Sequence, residues 1–260
     1  MRVTVLGCGT SSGVPLIGCA CAVCTSPDPR NKRRRCSILV ETAGETRVVV
    51  DTGPDFRMQC LDAGVRSLDA ILYTHAHADH VHGIDDVRSL NYVMGRRIDA
   101  YAHADVFARI RARFDYAFHP PDQPGWWRPS LNPIPFDHGP FRVGDLDVLP
   151  YEQGHGRLPS WGFRFGRAFA YSPDVHHLPE AAFEALRGVR IWIVDALRDA
   201  PHPSHAHVER TLGWIERVRP ELAVLTHMNH ELDYAELRDR LPPGVVPAHD
   251  GMVLDIVDPD

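Results

Sequence analysis

The sequence lacks any apolar run near the roughly 20 residues that cross a bilayer, which argues against a membrane-spanning helix. A charged-then-apolar leader is missing as well. Met1-Arg2-Val3-Thr4-Val5-Leu6-Gly7 passes directly into an alternating strand pattern, so a cytoplasmic protein is the expectation. There is no basic excess: 28 Lys and Arg stand against 34 Asp and Glu, a net charge of −6. Binding to polymeric nucleic acid is therefore not favoured, although bound divalent cations would offset part of that charge locally. Cysteine is sparse, six in 260 residues, and three of the six fall between positions 19 and 24. That spacing excludes a disulfide framework. Internal repeats, heptads and low-complexity linkers are absent.

What is present is an ordinary globular composition, 44% hydrophobic and 24% charged. Short β-branched runs mark strands at Arg2–Leu6, Ser37–Glu41, Thr46–Val50, Ala70–Thr74, Asp99–Ala102, Leu146–Glu152, Gly162–Phe165, Ala168–Tyr171, Ile191–Val194 and Leu222–Leu225. Helical spacing covers roughly Phe56–Ala63, Asp105–Phe114, Pro179–Ala185, Ala206–Val218 and Tyr234–Leu241. The pattern predicts one α/β domain over 1–260, two sheets packed together with helices outside. Residues 118–136, with six prolines and the Trp126-Trp127 pair, read as an irregular loop: either a packed connection or a lid.

The chain carries 16 histidines, and their placement is the strongest signal. The strand Ala70–Thr74 runs into His75-Ala76-His77-Ala78-Asp79-His80, four potential ligands in six positions. His75 and His77 point one way in an extended segment, while Asp79 and His80 can turn toward a second point. Histidine with carboxylate suits zinc, iron or manganese. Further polar residues close predicted strands: Asp51, His155, Asp174, Asp195 and His227. Side chains at strand ends converge on one edge of a sheet sandwich.

His75-x-His77-x-Asp79-His80, with His155, Asp174 and His227 downstream, resembles the metallo-β-lactamase superfamily. The resemblance implies an αββα sandwich (metallo-hydrolase fold) with two divalent metal ions, zinc or manganese. His75, His77 and His155 would hold one, Asp79, His80 and His227 the other, and Asp174 would bridge them. Asp51 matches the superfamily aspartate that orients the ligand loop.

Cys19-Ala20-Cys21-Ala22-Val23-Cys24 is a Cys-x-Cys-x2-Cys knot within residues 18–24. Three close thiolates suit a soft tetrahedral site, with His230 the best candidate for a fourth ligand to a structural zinc. A redox pair and a free thiol cluster are the other readings. Cys8, Cys36 and Cys60 read as small buried thiols. The knot with His227-Met228-Asn229-His230 narrows the resemblance to the phosphoribosyl cyclic phosphodiesterase (PhnP-type) branch. Leu6-Gly7-Cys8-Gly9-Thr10, Arg35-Cys36-Ser37 and Asp250-Gly251-Met252 extend the match almost end to end.

That branch implies hydrolysis of small cyclic phosphodiesters, ribosyl or nucleotide, such as 5-phosphoribosyl 1,2-cyclic phosphate or 2′,3′-cyclic nucleotides. It also implies a catalytic histidine that falls on His205 at a predicted helix start, with His207 as the alternative, and a homodimer. Asp79 would share the catalytic role through its metal. Lys32-Arg33-Arg34-Arg35 is either a solvated loop or a contact for a substrate's terminal phosphate. Two other functions fit parts of the pattern, an RNase Z-like tRNA 3′-processing nuclease and a non-catalytic zinc-binding protein.

Overall fold

The β-branched runs pair as the sequence leads one to expect, in a computed structural model that describes residues 1–120 and 126–257. The first half of the chain supplies β1 (Arg2–Gly7), β2 (Ser37–Glu41), β3 (Arg47–Val50), β4 (Ala70–Leu72), β5 (Ile98–His103) and β6 (Leu131–Phe136). The second half supplies β7 (Phe141–Val143), β8 (Leu146–His155), β9 (Leu158–Phe165), β10 (Phe169–Ser172), β11 (Ile191–Asp195), β12 (Leu222–Thr226) and β13 (Val245–Pro247), before β14 (Val253–Asp255) returns to the first sheet. Among the described residues the sheet orders are β14-β1-β2-β3-β4-β5-β6 and β13-β12-β11-β10-β9-β8-β7.

Burial on both faces marks strands at the centre of each sheet. Val48, Val49 and Val50 of β3, and Trp192, Ile193 and Val194 of β11, are all fully buried. A run apolar at every position needs cover on both sheet faces, as parallel strands carrying crossover helices receive it. The pairs β3–β4, β4–β5 and β5–β6 are parallel, as are β10–β11, β11–β12 and β12–β13. One buried cluster contains side chains of both sheets, so a single core joins them, and a small separate cluster of Val14, Val23 and Cys24 packs the thiol loop.

Strand direction places the site. β8 is antiparallel to β9, and β9 to β10, so β8, β10, β11 and β12 all run the same way. Their C-terminal ends share one edge of the second sheet. β3 and β4 end together in the first.

Some boundaries differ from the sequence reading. The segment read as a loop over 118–136 contains β6, paired with β5 from Leu131 to Phe136. Pro133 and Pro135 are tolerated because β6 is an edge strand, where missing N–H groups cost no ladder bonds. Residues 121–125 of that segment lie outside the described residues. The helix expected from Ala206 begins at Val208 with His207 at its N-cap. The Ala206 backbone is instead bonded to Val175 and Leu197. A helix at Val87–Met94, stopped by Gly95 in the left-handed conformation, was not anticipated.

Cys8, Cys36 and Cys60 are buried. The basic run is partly exposed and lines an open groove that contains none of the predicted histidine and aspartate ligands. Arg33 is 1% exposed and donates to the Asn229 and Leu232 carbonyls and to Asn31 Oδ1. Arg34 pairs with Asp62 and Arg35 with Asp55, while Lys32 caps the Cys24 carbonyl. The run staples loops together.

Asp250 closes the same region, accepting the Cys8 and Arg34 backbone N–H groups. Burial pushes its carboxyl up to about 6, and those hydrogen bonds offset this only in part. The folded chain thus holds this proton more tightly than the unfolded chain, whose aspartate titrates near 3.9. This group's contribution to stability therefore falls as pH rises from about 4 to about 6. Asp250→Asn, which cannot ionise, should gain in Tm relative to the native protein across that window and hold a constant difference above it. Calorimetry as a function of pH reads this directly; a pH-independent difference would contradict it.

Candidate metal centre

Four loops deliver the predicted ligands. The turn after β4 carries His75 and His77, and the four-residue helix Ala78–Val81 that follows carries Asp79 and His80. His155 is the last residue of β8, Asp174 follows β10 and His227 follows β12. Asp51 (φ 66°), Asp174 (φ 48°) and His227 (φ 59°) adopt left-handed backbone conformations. These are unfavourable for non-glycine residues by about 1–2 kcal/mol each. Each turns the chain sharply at a strand end, and such outliers gather at functional sites.

The seven side chains form two adjoining groups, His75, His77 and His155, then Asp79, His80, Asp174 and His227. Within the first, His77 Nδ1 lies 3.0 Å from His75 Nε2 and 3.2 Å from His155 Nε2. In the second, His80 Nε2 lies 3.2 Å from Asp79 Oδ2 and 3.1 Å from Asp174 Oδ1. Asp174 Oδ2 faces both groups, at 3.2 Å from His227 Nε2, 3.8 Å from His75 Nε2 and 4.0 Å from His155 Nε2.

These donors fit divalent cations. The shorter separations approach the roughly 3.3 Å tetrahedral edge that follows from a metal–nitrogen bond of about 2.0–2.1 Å. His80 Nε2, His227 Nε2 and Asp174 Oδ1 are buried with no hydrogen-bond partner, a costly state for polar atoms unless a cation takes them up.

The remaining ring nitrogens are mostly spoken for. Asp51 Oδ2 accepts from His80 Nδ1 at 2.7 Å and from Thr74 Oγ1 at 2.7 Å, while Oδ1 accepts the Thr74 N–H. Thr74 Oγ1, having donated its proton, accepts from His75 Nδ1 at 2.9 Å. His155 Nδ1 donates to the Ser204 carbonyl at 2.8 Å. Each bond fixes a tautomer and leaves Nε2 with a lone pair aimed inward. Thr74 and Ser204 escaped the sequence reading, because a hydroxyl or a main-chain carbonyl carries no ligand signature.

Charge follows the same geometry. Burial drives the His75 imidazole well below its usual range and His155 down to about 4. Burial opposes charge on His227 too, but Asp174 and Asp195 outweigh it and hold it up at about 9.

His205 joins the centre. Its Nδ1 bonds Asp195 Oδ2 at 2.9 Å, and its ring stacks on His227 with centroids 4.4 Å apart. It also falls in one group with His155 and Asp174. His207 belongs to neither group; it is the N-cap of the following helix.

Cys19, Cys21 and Cys24 come together as a separate group of thiols. The His230 ring does not join them within 4.8 Å. Arg33 draws the Asn229 carbonyl inward, and the neighbouring His230 carbonyl, 3.7 Å from Cys21 Sγ, is what meets the thiols.

Asp51 is fully buried and touches the ligand loop at three points. Asp51→Ala should therefore weaken metal binding by about 10–100-fold, measured by chelator competition on protein whose circular dichroism is unchanged. Undiminished affinity would show that the loop is held without it.

Comparison with known proteins agrees with this geometry. The family model for a beta-lactamase superfamily domain matches residues 46–228. A crystal structure of a new diphosphatase from the PhnP family superposes with a TM-score of 0.91 and 37% identity, covering 98% of both chains. An octanoyltransferase from Porphyromonas gingivalis is 39% identical over 97% of this chain. The chain spans about half of that relative, 51% of its length. Coenzyme PQQ synthesis protein B from Methylobacterium radiotolerans is 33% identical over 75% of this chain and 72% of its own. The chain belongs to the beta-lactamase superfamily and has the metallo-β-lactamase fold.

Proposed function

We propose that the protein is a metal-dependent phosphodiesterase that hydrolyses small cyclic phosphodiesters, such as 5-phosphoribosyl 1,2-cyclic phosphate or 2′,3′-cyclic nucleotides. The observation that carries this reading is the Asp174 carboxylate, buried between two groups of imidazole and carboxylate donors. Similarity to the PhnP-family diphosphatase supports a hydrolase acting on phosphate esters or anhydrides.

Two divalent ions, zinc or manganese, would supply Lewis-acid stabilisation of the phosphoryl oxygens and a water of lowered pKa. His75, His77 and His155 would hold one, Asp79, His80 and His227 the other, with Asp174 between them. The chain's own residues do the rest. Asp51 and Thr74 lock the ligand loop so that little reorganisation is needed when substrate binds. Asp195 Oδ2 takes the His205 Nδ1 proton in a hydrogen bond, which leaves Nε2 to carry the proton given to the departing ribosyl oxygen. Asp195 is itself positioned by the Val175 N–H on the same oxygen. The His205 side chain is 12% exposed, enough to meet a substrate while limiting competition from bulk water.

General-acid transfer of this kind contributes about 10²–10⁴-fold. His205→Ala should lower kcat by that amount with metal content retained, and His207→Ala should not. The assay is phosphorus NMR turnover of the ribosyl cyclic phosphate against a 2′,3′-cyclic nucleotide on zinc- and manganese-loaded protein. Full activity in His205→Ala would remove the acid role. Preference for a pre-tRNA 3′ trailer over both small substrates would move the reading to RNA processing.

A further inference from the structure

A small cavity adjoins the candidate metal centre on the first-sheet side. Its volume is about 80 Å³ and its walls include His75 and His77, the helix Ala104–Phe114, and Trp161 of β9. Whole-ligand pockets usually run from about 300 Å³ upward, so this one suits a single compact group.

Its lining is cationic and rich in donors. Arg109 and Arg113 stand four residues apart on one helix face and both line it. Arg113 is committed, donating to the Ala76 carbonyl between the two histidines. Arg109 is exposed, and among the described residues no carboxylate pairs with it. His103 stacks on Trp161 at 4.8 Å. Its Nδ1 accepts the Asp105 N–H, so the proton sits on Nε2, a donor. Trp161 is 1% exposed and its indole N–H has no hydrogen-bond partner. Among the described residues Asp105 is the one acid in the wall, and it lies exposed at the rim. A buried indole donor without an acceptor, beside a half-buried imidazole and a guanidinium with no carboxylate partner among the described residues, is what a bound oxyanion would satisfy.

We infer that this cavity is an anion subsite, with Arg109 as its specificity-determining residue, which selects substrates bearing a second phosphate besides the one that is cleaved. The inference rests on the phosphodiesterase reading and deepens it. His75 and His77 belong to both cavity and metal centre, so an anion held here lies within one small substrate's length of the scissile phosphate. The Lys32–Arg35 run lines a separate groove and contributes no residue to this cavity.

The test uses a matched pair, ribose 1,2-cyclic phosphate with and without its 5-phosphate, on metal-loaded wild type, Arg109→Gln and Arg109→Lys. Wild type should favour the 5-phosphorylated partner, and Arg109→Gln should cut the ratio of the two kcat/KM values by about 10–100-fold, mainly through KM. Arg109→Lys should recover part of it, since it keeps the charge but not the planar fork. Arg111→Gln, whose guanidinium lies over Phe118 instead, should leave the ratio alone. Calorimetry on metal-free protein gives a second readout. Ribose 5-phosphate should bind wild type more tightly than ribose does, and Arg109→Gln should erase the difference. No preference between the paired substrates, an equal loss on both, or no ribose 5-phosphate binding above ribose would overturn the subsite. If the loaded wild type cleaves neither partner nor bis(p-nitrophenyl) phosphate, the phosphodiesterase reading itself fails, and the subsite falls with it.

Discussion

Asp174 buries a full negative charge at the seam between the two sheets, 2% exposed, with imidazoles rather than Lys or Arg beside it. Removing a carboxylate from water costs several kcal/mol even after relaxation. His80 and His227 pull its proton affinity well down, against burial, by standing close to its oxygens. That stabilisation depends on both imidazoles being held in place, because the attraction falls off with distance and geometry. The loops at this edge are organised accordingly. β10 brings Asp174, β12 brings His227, and the short helix after β4 brings His80.

The means of holding them is a chain of hydrogen bonds that begins in buried backbone. Asp51 fixes Thr74 and His80, Thr74 fixes His75, and Ser204 fixes His155. Asp195 fixes His205 from the opposite sheet. All four anchors sit at or next to strand ends or in loops tied to them, where the sheet supplies rigidity. Close backbone approach completes the arrangement. A Cβ on Gly53 would lie 2.1 Å from the Asp79 carbonyl oxygen, and one on Gly83 would lie 2.0 Å from that of Gly53. Larger residues at either position would displace the ligand helix.

A second framework, away from the histidine cluster, joins the thiol loop to the loop bearing His227. Arg33 is its centre, its guanidinium shared between the Asn229 and Leu232 carbonyls and Asn31. Burial lowers the tendency of Arg33 to hold its proton, yet a guanidinium stays charged, so those acceptors compensate a buried cation. Four consecutive basic residues look alike in sequence. Their fates differ because Arg33 alternates inward beside Gly9, whose missing side chain leaves it room.

The sequence by itself determined the donor chemistry and the strands that carry it. The run His75 to His80, and the Asp or His closing each β-branched run, were legible because a strand's burial pattern and its end are local properties. The ten expected strands recur with shifts of a few residues at most. Tertiary structure decided what depends on register between distant segments. It separated His205 from His207, because the Ala206 backbone bonds Val175 and Leu197 and delays the helix. It turned the His230 carbonyl rather than its ring toward the thiols, made a strand of a proline-rich segment by placing it at a sheet edge, and set Arg109 beside His75 and His77. Side-chain periodicity reports the neighbours on one element. Convergence of residues a hundred positions apart is fixed by how two sheets pack, and no local pattern encodes that.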